Sequence, residues 1–258
     1  MNDMNKNKSR ITQFALIFLL VPLLAGCKGK VDQVAINAGK AIAQQGKGAV
    51  PACMSCHGAK GEGNDATGFP RLAALNATYL ERQLNDFARD QVPEGVVLEP
   101  IARDYSKTPR IYSDKTVFTP GMRQDPVMSG IAKGLTEADR KNLAAYYASL
   151  GFNAKPVAAA FETLERGEDL ALRGKPEYGL PACVSCHAPD GEGFGAEFPP
   201  LAGQPAQYLV TQINRWQSGA RDNDPMGLMK AVAEQLTDAD KLNVTAFYAN
   251  RSLSVKGQ

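Results

Sequence analysis

A seven-residue string, Pro51-Ala52-Cys53-Met54-Ser55-Cys56-His57, returns 130 residues later as Pro181-Ala182-Cys183-Val184-Ser185-Cys186-His187. This duplication constrains the chain more than any other feature, because a repeat decides the architecture before a motif is interpreted. It extends well beyond the string. Gly61-Glu62-Gly63 recurs as Gly191-Glu192-Gly193, also at offset 130, and Phe69-Pro70-Arg71-Leu72-Ala73 pairs with Phe198-Pro199-Pro200-Leu201-Ala202 at offset 129. Tyr79, Leu80, Gln83 and Asn85 find Tyr208, Leu209, Gln212 and Asn214 at that offset, and Leu135-Thr136-Glu137-Ala138-Asp139 finds Leu236-Thr237-Asp238-Ala239-Asp240 at offset 101. The first copy therefore carries 28 extra residues between Asp86 and Met128.

Apolar spacing within each copy is helical. Val31, Val34, Ala35, Ala38, Ala41 and Ile42 recur every three or four residues, and 161–172 plays the same part in the second copy. Ala77 to Ala88 and Ala206 to Ser218 predict a second helix per copy. A third closes each copy, opened by Thr136 with Asp139 and by Thr237 with Asp240, a pattern in which hydroxyl and carboxylate satisfy orphan backbone donors. Leu143, Tyr146, Tyr147 and Leu150, and Val244, Phe247 and Tyr248, form its apolar face. Few stretches alternate like strands, so the expected fold is all-α in two tandem domains, 27–150 and 161–258. A linker over 151–160 holds Gly151, Asn153 and Pro156, and an inserted loop occupies about 90–120.

The N-terminal segment reads as an export signal. Lys6, Lys8 and Arg10 precede an apolar run from Ile11 to Ala25, short for a membrane span. Leu24-Ala25-Gly26-Cys27 resembles a lipobox, so 1–26 is expected to be a signal peptide and Cys27 to be lipidated; ordinary cleavage to a soluble periplasmic protein, or retention of the segment as an uncleaved anchor, are the alternatives. Several acyl chains anchor firmly, since each buried methylene contributes roughly 0.8 kcal/mol. Cleavage there leaves 26 basic and 26 acidic residues, with no cationic excess for phosphates, which argues against nucleic acid as a partner. The charges are uneven: 28–150 holds 16 basic and 13 acidic residues, 151–258 holds 10 and 13.

The C-x-x-C-H string reads as covalent haem attachment, with two thiols for the vinyl groups and the adjacent histidine for iron. Cys53 and Cys56 would hold one haem c and Cys183 and Cys186 another, with His57 and His187 as axial ligands. A thioredoxin-like pair does not need a histidine beside both copies, and zinc would find three ligands per copy where it prefers four. The chain has 2 histidines, so a second imidazole per iron is not available within it, and methionine is the remaining usual ligand. Met128 and Met229 each precede the closing Leu135 and Leu236 by seven residues and are the expected sixth ligands; Met122 and Met226 are the alternatives. Phe69, Leu72, Tyr79 and Leu80, with Phe198, Leu201, Tyr208 and Leu209, are candidate pocket walls. Pro70 and Pro199 are placed to offer a carbonyl to the second imidazole nitrogen.

Both C-x-x-C-H strings, both Phe-Pro-x-Leu segments, Met128, Met229 and the endings Leu143-Ala144-Ala145-Tyr146-Tyr147 and Ala246-Phe247-Tyr248 together resemble the two-haem bacterial cytochromes of the cytochrome c4 type. The resemblance implies two tandem class I cytochrome c domains with haems facing one another across the domain interface. It also implies a periplasmic or membrane-associated electron shuttle between redox proteins of the respiratory chain, often feeding a haem-copper terminal oxidase. The lipobox and the 28 extra residues depart from that pattern. The insertion brings Tyr105, Tyr112, Phe118, Pro93, Pro100, Pro109 and Pro120, read as a surface loop or as a partner-docking lobe. An electron carrier is expected. A haem enzyme such as a two-haem peroxidase or a thiosulfate-oxidising cytochrome, or a haem subunit fixed in a dehydrogenase or oxidase complex, is the alternative.

Overall fold

The computed structural model describes residues 32–90, 96–97, 117–118, 123–154, 156–224 and 226–256. The expected signal segment with Cys27, most of the inserted loop and Met122 lie outside the described residues. In the first half α1 (Gln33–Gln45) leads to the one-turn α2 (Met54–His57) and to α3 (Ala77–Ala88). Two strands, β1 (Val96–Val97) and β2 (Val117–Phe118), pair antiparallel within the insertion. Then come α4 (Met128–Lys133) and α5 (Glu137–Ser149). After β3 (Phe152–Asn153) the second half repeats the order as α6 (Phe161–Arg173), a 3-10 turn Pro176–Tyr178, α7 (Val184–His187), α8 (Ala206–Gln217), α9 (Leu228–Glu234) and α10 (Asp238–Asn250). The closing β4 (Ser254–Val255) pairs antiparallel with β3.

The helices predicted over 77–88 and 206–218 form, with Ser218 as the C-cap of the latter. Both capping boxes form as well: Thr136 Oγ1 accepts from the Asp139 N–H and Thr237 Oγ1 from the Asp240 N–H, each at 3.2 Å. Each carboxylate also takes a lysine from the far end of its half, Lys47 to Asp139 and Lys175 to Asp240, both at 2.8 Å.

The first and last helices of each half cross at a glycine. A Cβ on Gly39 would stand 2.0 Å from the Asn142 carbonyl oxygen, and one on Gly167 2.2 Å from that of Asn243. The helical stretch expected from the apolar spacing forms as α1, and the crossing sets its orientation. Gly39, Ile42 and Ala43 are buried while Val34 is 80 % exposed, because backbone proximity at Gly39, and not the count of apolar residues, sets which side turns inward. Around the crossings Ile42, Val50, Leu80, Leu143 and Tyr146 form one core, and Leu170, Leu180, Ile213, Trp216 and Val244 another. Burying each large side chain contributes about 1.5–3 kcal/mol before entropy is counted.

The halves meet through polar groups as well as apolar ones. Asp65 accepts from the Ala206 N–H at 2.8 Å, supplying the cap that Pro205 lacks at the start of α8. Arg215 pairs with Asp125 at 2.6 Å, and Arg82 with Glu197. Ala154 N–H donates to the Leu253 carbonyl at 2.8 Å, so the chain leaving the first half is pinned to the end of the second.

Candidate functional site

Each Cys-x-x-Cys-His string turns one helical turn, which puts two thiols and an imidazole on the wall of the same cavity. The loop that follows folds back over the imidazole. Gly63 N–H donates to the His57 carbonyl at 2.8 Å and Gly193 N–H to that of His187 at 2.9 Å. Both glycines hold a positive φ, +82° and +80°, and a Cβ on either would strike the backbone of the Phe-Pro segment within 3 Å.

That segment then grips the ring. Phe69 stands edge-on to His57 at 5.9 Å and Phe198 to His187 at 6.3 Å. His57 Nδ1 lies 2.9 Å from the Pro70 carbonyl and His187 Nδ1 2.8 Å from that of Pro199. A carbonyl can only accept, so Nδ1 carries the proton and Nε2 is left as the lone-pair nitrogen. Burial pushes the pKa of both imidazoles down, against the opposing pull of the carbonyls, which keeps them neutral and fit to ligate. Burial also raises the Cys53 thiol and pushes Cys183 up to about 11. A redox-active pair needs a lowered thiol, so the environment speaks against thioredoxin-like chemistry. Among the described residues no three His, Cys, Asp or Glu side chains converge as a metal cage.

The cavity measures about 1160 Å³ and runs continuously from Cys53, Cys56 and His57 to Cys183, Cys186 and His187. That exceeds the range of roughly 300–1,000 Å³ for a single small-molecule pocket. All eight wall residues expected from the sequence line it, as do Met128 and Met229. Met229 packs on the second core, whereas Met226, which also lines the cavity, is 54 % exposed.

The two methionines sit at the starts of α4 and α9, short helices that the apolar periodicity did not show. Asp125 Oδ1 accepts from the backbone of Val127 and Met128, at 3.0 and 2.9 Å, and Asp224 from the backbone of Met229 and Lys230. These aspartates were not singled out from the sequence, although each opens an Asp-Pro pair just before its methionine.

Between the halves the cavity is lined by a mirrored polar cluster. Arg123 donates to Gln83 and Gln212 at 2.9 and 2.8 Å and to the Tyr208 hydroxyl at 2.8 Å; Arg221 donates to Gln212 at 3.1 Å and Gln83 at 3.4 Å. Each guanidinium lies on an aromatic ring, Arg123 over Phe87 and Arg221 over Trp216, both at 4.5 Å. Arg71 is fully buried, and burial pulls its pKa down to about 10. Three buried guanidinium groups thus face a cavity whose buried carboxylate, Asp86, already binds Asn223 at 2.7 Å and Arg89 at 2.7 Å. Buried charge of one sign calls for the other. A group combining a wide apolar plane with carboxylates, as haem does, fits both the walls and this surplus.

The comparisons agree. The cytochrome c family model matches residues 36–151 and 171–251. A relative from Thiomonas intermedia, named thiosulfate dehydrogenase electron acceptor, is 41 % identical over 207 residues, covering 78 % of this chain and 79 % of its own length. Cytochrome c4 of Azotobacter vinelandii is 34 % identical over 240 residues, covering 90 % of this chain and 96 % of its own. The crystal structure of reduced recombinant cytochrome c4 from Pseudomonas stutzeri superposes with a TM-score of 0.64 at 29 % identity, over 84 % of this chain and 98 % of that one. The chain therefore belongs to the cytochrome c family, as a mostly helical electron carrier with two tandem cytochrome c regions and two covalently attached haem c groups, akin to the cytochromes c4.

Proposed function

We propose that this protein takes electrons from a thiosulfate-oxidising dehydrogenase at the periplasmic face of a bacterial membrane and passes them to a respiratory acceptor, including a terminal oxidase. The observation that carries the proposal is one cavity holding two mirrored sets of cysteines, histidine and methionine, in a chain 41 % identical to a protein named for accepting electrons from thiosulfate dehydrogenase. Haem supplies one-electron exchange at its iron. The chain's residues do the rest. Cys53, Cys56, Cys183 and Cys186 form the thioether links, and His57 and His187 present Nε2 with Nδ1–H held by Pro70 and Pro199. Met128 and Met229 offer sulfur from helix starts fixed by Asp125 and Asp224, a pairing that raises the potential relative to two imidazoles.

Coupling two thiosulfate ions through sulfur releases two electrons, and two sites hold one each. No acid-base pair is needed, because the sulfur chemistry stays with the dehydrogenase. The domains assigned to 27–150 and 161–258, joined by 151–160, carry opposite net charge, so donor and acceptor dock on different halves. Lipid on Cys27 keeps the carrier at the membrane; among the described residues no helix is long and apolar enough to cross one.

Mixing the oxidised holoprotein with thiosulfate alone should leave it oxidised, and adding a thiosulfate dehydrogenase should reduce both haems. Direct reduction by thiosulfate would make the protein itself the oxidising enzyme, and no reduction in either case would remove the donor assignment. Membrane fractionation of Cys27→Ala against the parent checks the anchor, and a haem count on Cys56→Ser and Cys186→Ser checks each attachment.

A further inference from the structure

The peptide units that hold the two imidazoles differ in one respect. The Pro70 carbonyl that accepts from His57 Nδ1 shares its peptide unit with the Arg71 N–H, and that N–H donates to Gln204 Oε1 at 3.0 Å. Gln204 is buried, and its Nε2 donates back to the Arg71 carbonyl at 3.1 Å. Because one partner can only donate and the other only accept, the amide's orientation is fixed. A continuous chain results: Gln204 C=O to Arg71 N–H, across the peptide bond to Pro70 C=O, and on to His57 Nδ1–H. An acceptor on the N–H side of a peptide polarises it and strengthens the bond made by its carbonyl, the more so in a site of low dielectric.

The second site lacks this chain at both ends. The repeat register sets Pro200 opposite Arg71 and Leu75 opposite Gln204. The carbonyl holding His187 therefore belongs to a peptide whose nitrogen is proline's and bears no hydrogen. The mirror position of the amide is an apolar side chain. The two imidazole bonds are similar in length, 2.9 and 2.8 Å, so the difference lies in what stands behind each carbonyl.

We propose that Gln204, which belongs to the second half, is a positioning residue for the first site: it polarises the Pro70–Arg71 peptide so that His57 carries more imidazolate character than His187. Added negative charge on the ring makes Nε2 the stronger donor and favours the oxidised iron, so the first site's reduction potential is held down. The inference rests on the reading of His57 and His187 as axial ligands. The Arg71 guanidinium acts separately. It donates to the Ala73 and Ala202 carbonyls at 2.5 and 3.1 Å and lies over Phe152 at 4.4 Å, and none of these contacts is with Gln204.

The test uses the reduced holoprotein with labelled histidine. Proton resonances from both Nδ1–H groups should appear, that of His57 further downfield and slower to exchange than that of His187. Equal positions and equal exchange would overturn the relay. Gln204→Leu removes the acceptor and should shift the first haem to higher potential; Gln204→Glu supplies a stronger, charged acceptor and should shift it lower, with the second haem moving less in both. Loosening of the interface alone would move both variants in one direction, and that result also refutes the relay. Absence of haem-shifted ring signals from either histidine would overturn the ligation itself, a distinct outcome that removes the inference with it.

Discussion

Alanine at Gly39 and at Gly167 should destabilise the protein even though alanine is the better helix former. In an exposed helix interior the exchange favours the helix by about 0.8–1.0 kcal/mol. At Gly39 the new methyl would stand 2.0 Å from the Asn142 carbonyl oxygen and 2.9 Å from Tyr146 Cβ, and at Gly167 2.2 Å from the Asn243 oxygen and 2.7 Å from Phe247 Cβ. The blocking atoms are backbone and Cβ, so no side-chain rotation clears them. α1 must back away from α5 by about 1 Å, and a gap of 0.5–1 Å forfeits a quarter to a half of the dispersion energy across the contact. Overpacking of this kind costs about 1–3 kcal/mol, and here it falls on Ile42, Ala43, Leu143 and Tyr146 together. With the propensity gain subtracted, a net loss of about 1 kcal/mol per site and at most about 2 follows, or roughly 2–8 °C in Tm for a chain of this size. Thermal unfolding of the holoproteins by far-ultraviolet circular dichroism measures it. Gly130→Ala in α4 is the control, since a Cβ there meets nothing within 4 Å. It should leave Tm unchanged or raise it. A Gly39→Ala protein as stable as its parent would refute the crossing as the contact that sets helix orientation.

Thr136→Ala and Thr237→Ala each remove a cap and should cost about 1 kcal/mol in chemical denaturation. Burial works against ionisation of Asp139 and Asp240, but their lysine and threonine partners outweigh it and hold both carboxyls below the ordinary carboxylate value. Their stabilisation is therefore complete above about pH 4 and is lost as pH falls through the folded-state value. Lys47→Met should be less stable than its parent at pH 7, with the gap closing at low pH; a gap independent of pH would contradict the pairing. On the proposed ligation by Met128 and Met229, Asp125→Ala and Asp224→Ala should weaken the methionine-to-iron absorption band of the oxidised protein, or lower the temperature at which it vanishes, since the helix start carrying each methionine loses its anchor. An unchanged band in both would show that the aspartates do not position the sulfur.

The repeat made much of this legible in advance. C-x-x-C-H and Phe-Pro are short local signals, and the structure places Pro70 and Pro199 against the imidazoles at hydrogen-bond distance, as their fixed backbones suggested. The closing helices were legible because Thr and Asp three residues apart are a local device too. Periodicity marked α1 as a helix but not its inward side, where Gly39 is buried and Val34 faces solvent, since a glycine crossing leaves no apolar mark. α4 and α9 span six and seven residues, too few to show a period of 3.6. The cluster of Arg123, Arg221, Gln83 and Gln212 could not be read as such, because its members meet only once the halves are apposed.

What the halves share and where they differ divides along a physical line. The parts that hold an imidazole, a sulfur start and a helix crossing are duplicated, because each site needs the same local geometry whatever its neighbour does. Several departures from the repeat lie where one half touches the other: Arg71 against Pro200, Leu75 against Gln204, Asn76 against Pro205, and Asp86 against Arg215. Members of three of these pairs bond across the interface, and beside the fourth a neighbouring carboxylate does. Arg71 reaches Ala202 and Gln204, Asp65 caps the helix that follows Pro205, Asp86 takes Asn223, and Arg215 takes Asp125. A symmetric interface would give two equivalent sites and no preferred place for the first electron. An asymmetric one, built from buried amides and guanidinium groups in a low dielectric, sets the two sites apart without altering either set of ligands. On the relay proposed for Gln204, substitutions at this contact should shift the two potentials relative to one another while both haem spectra keep their form.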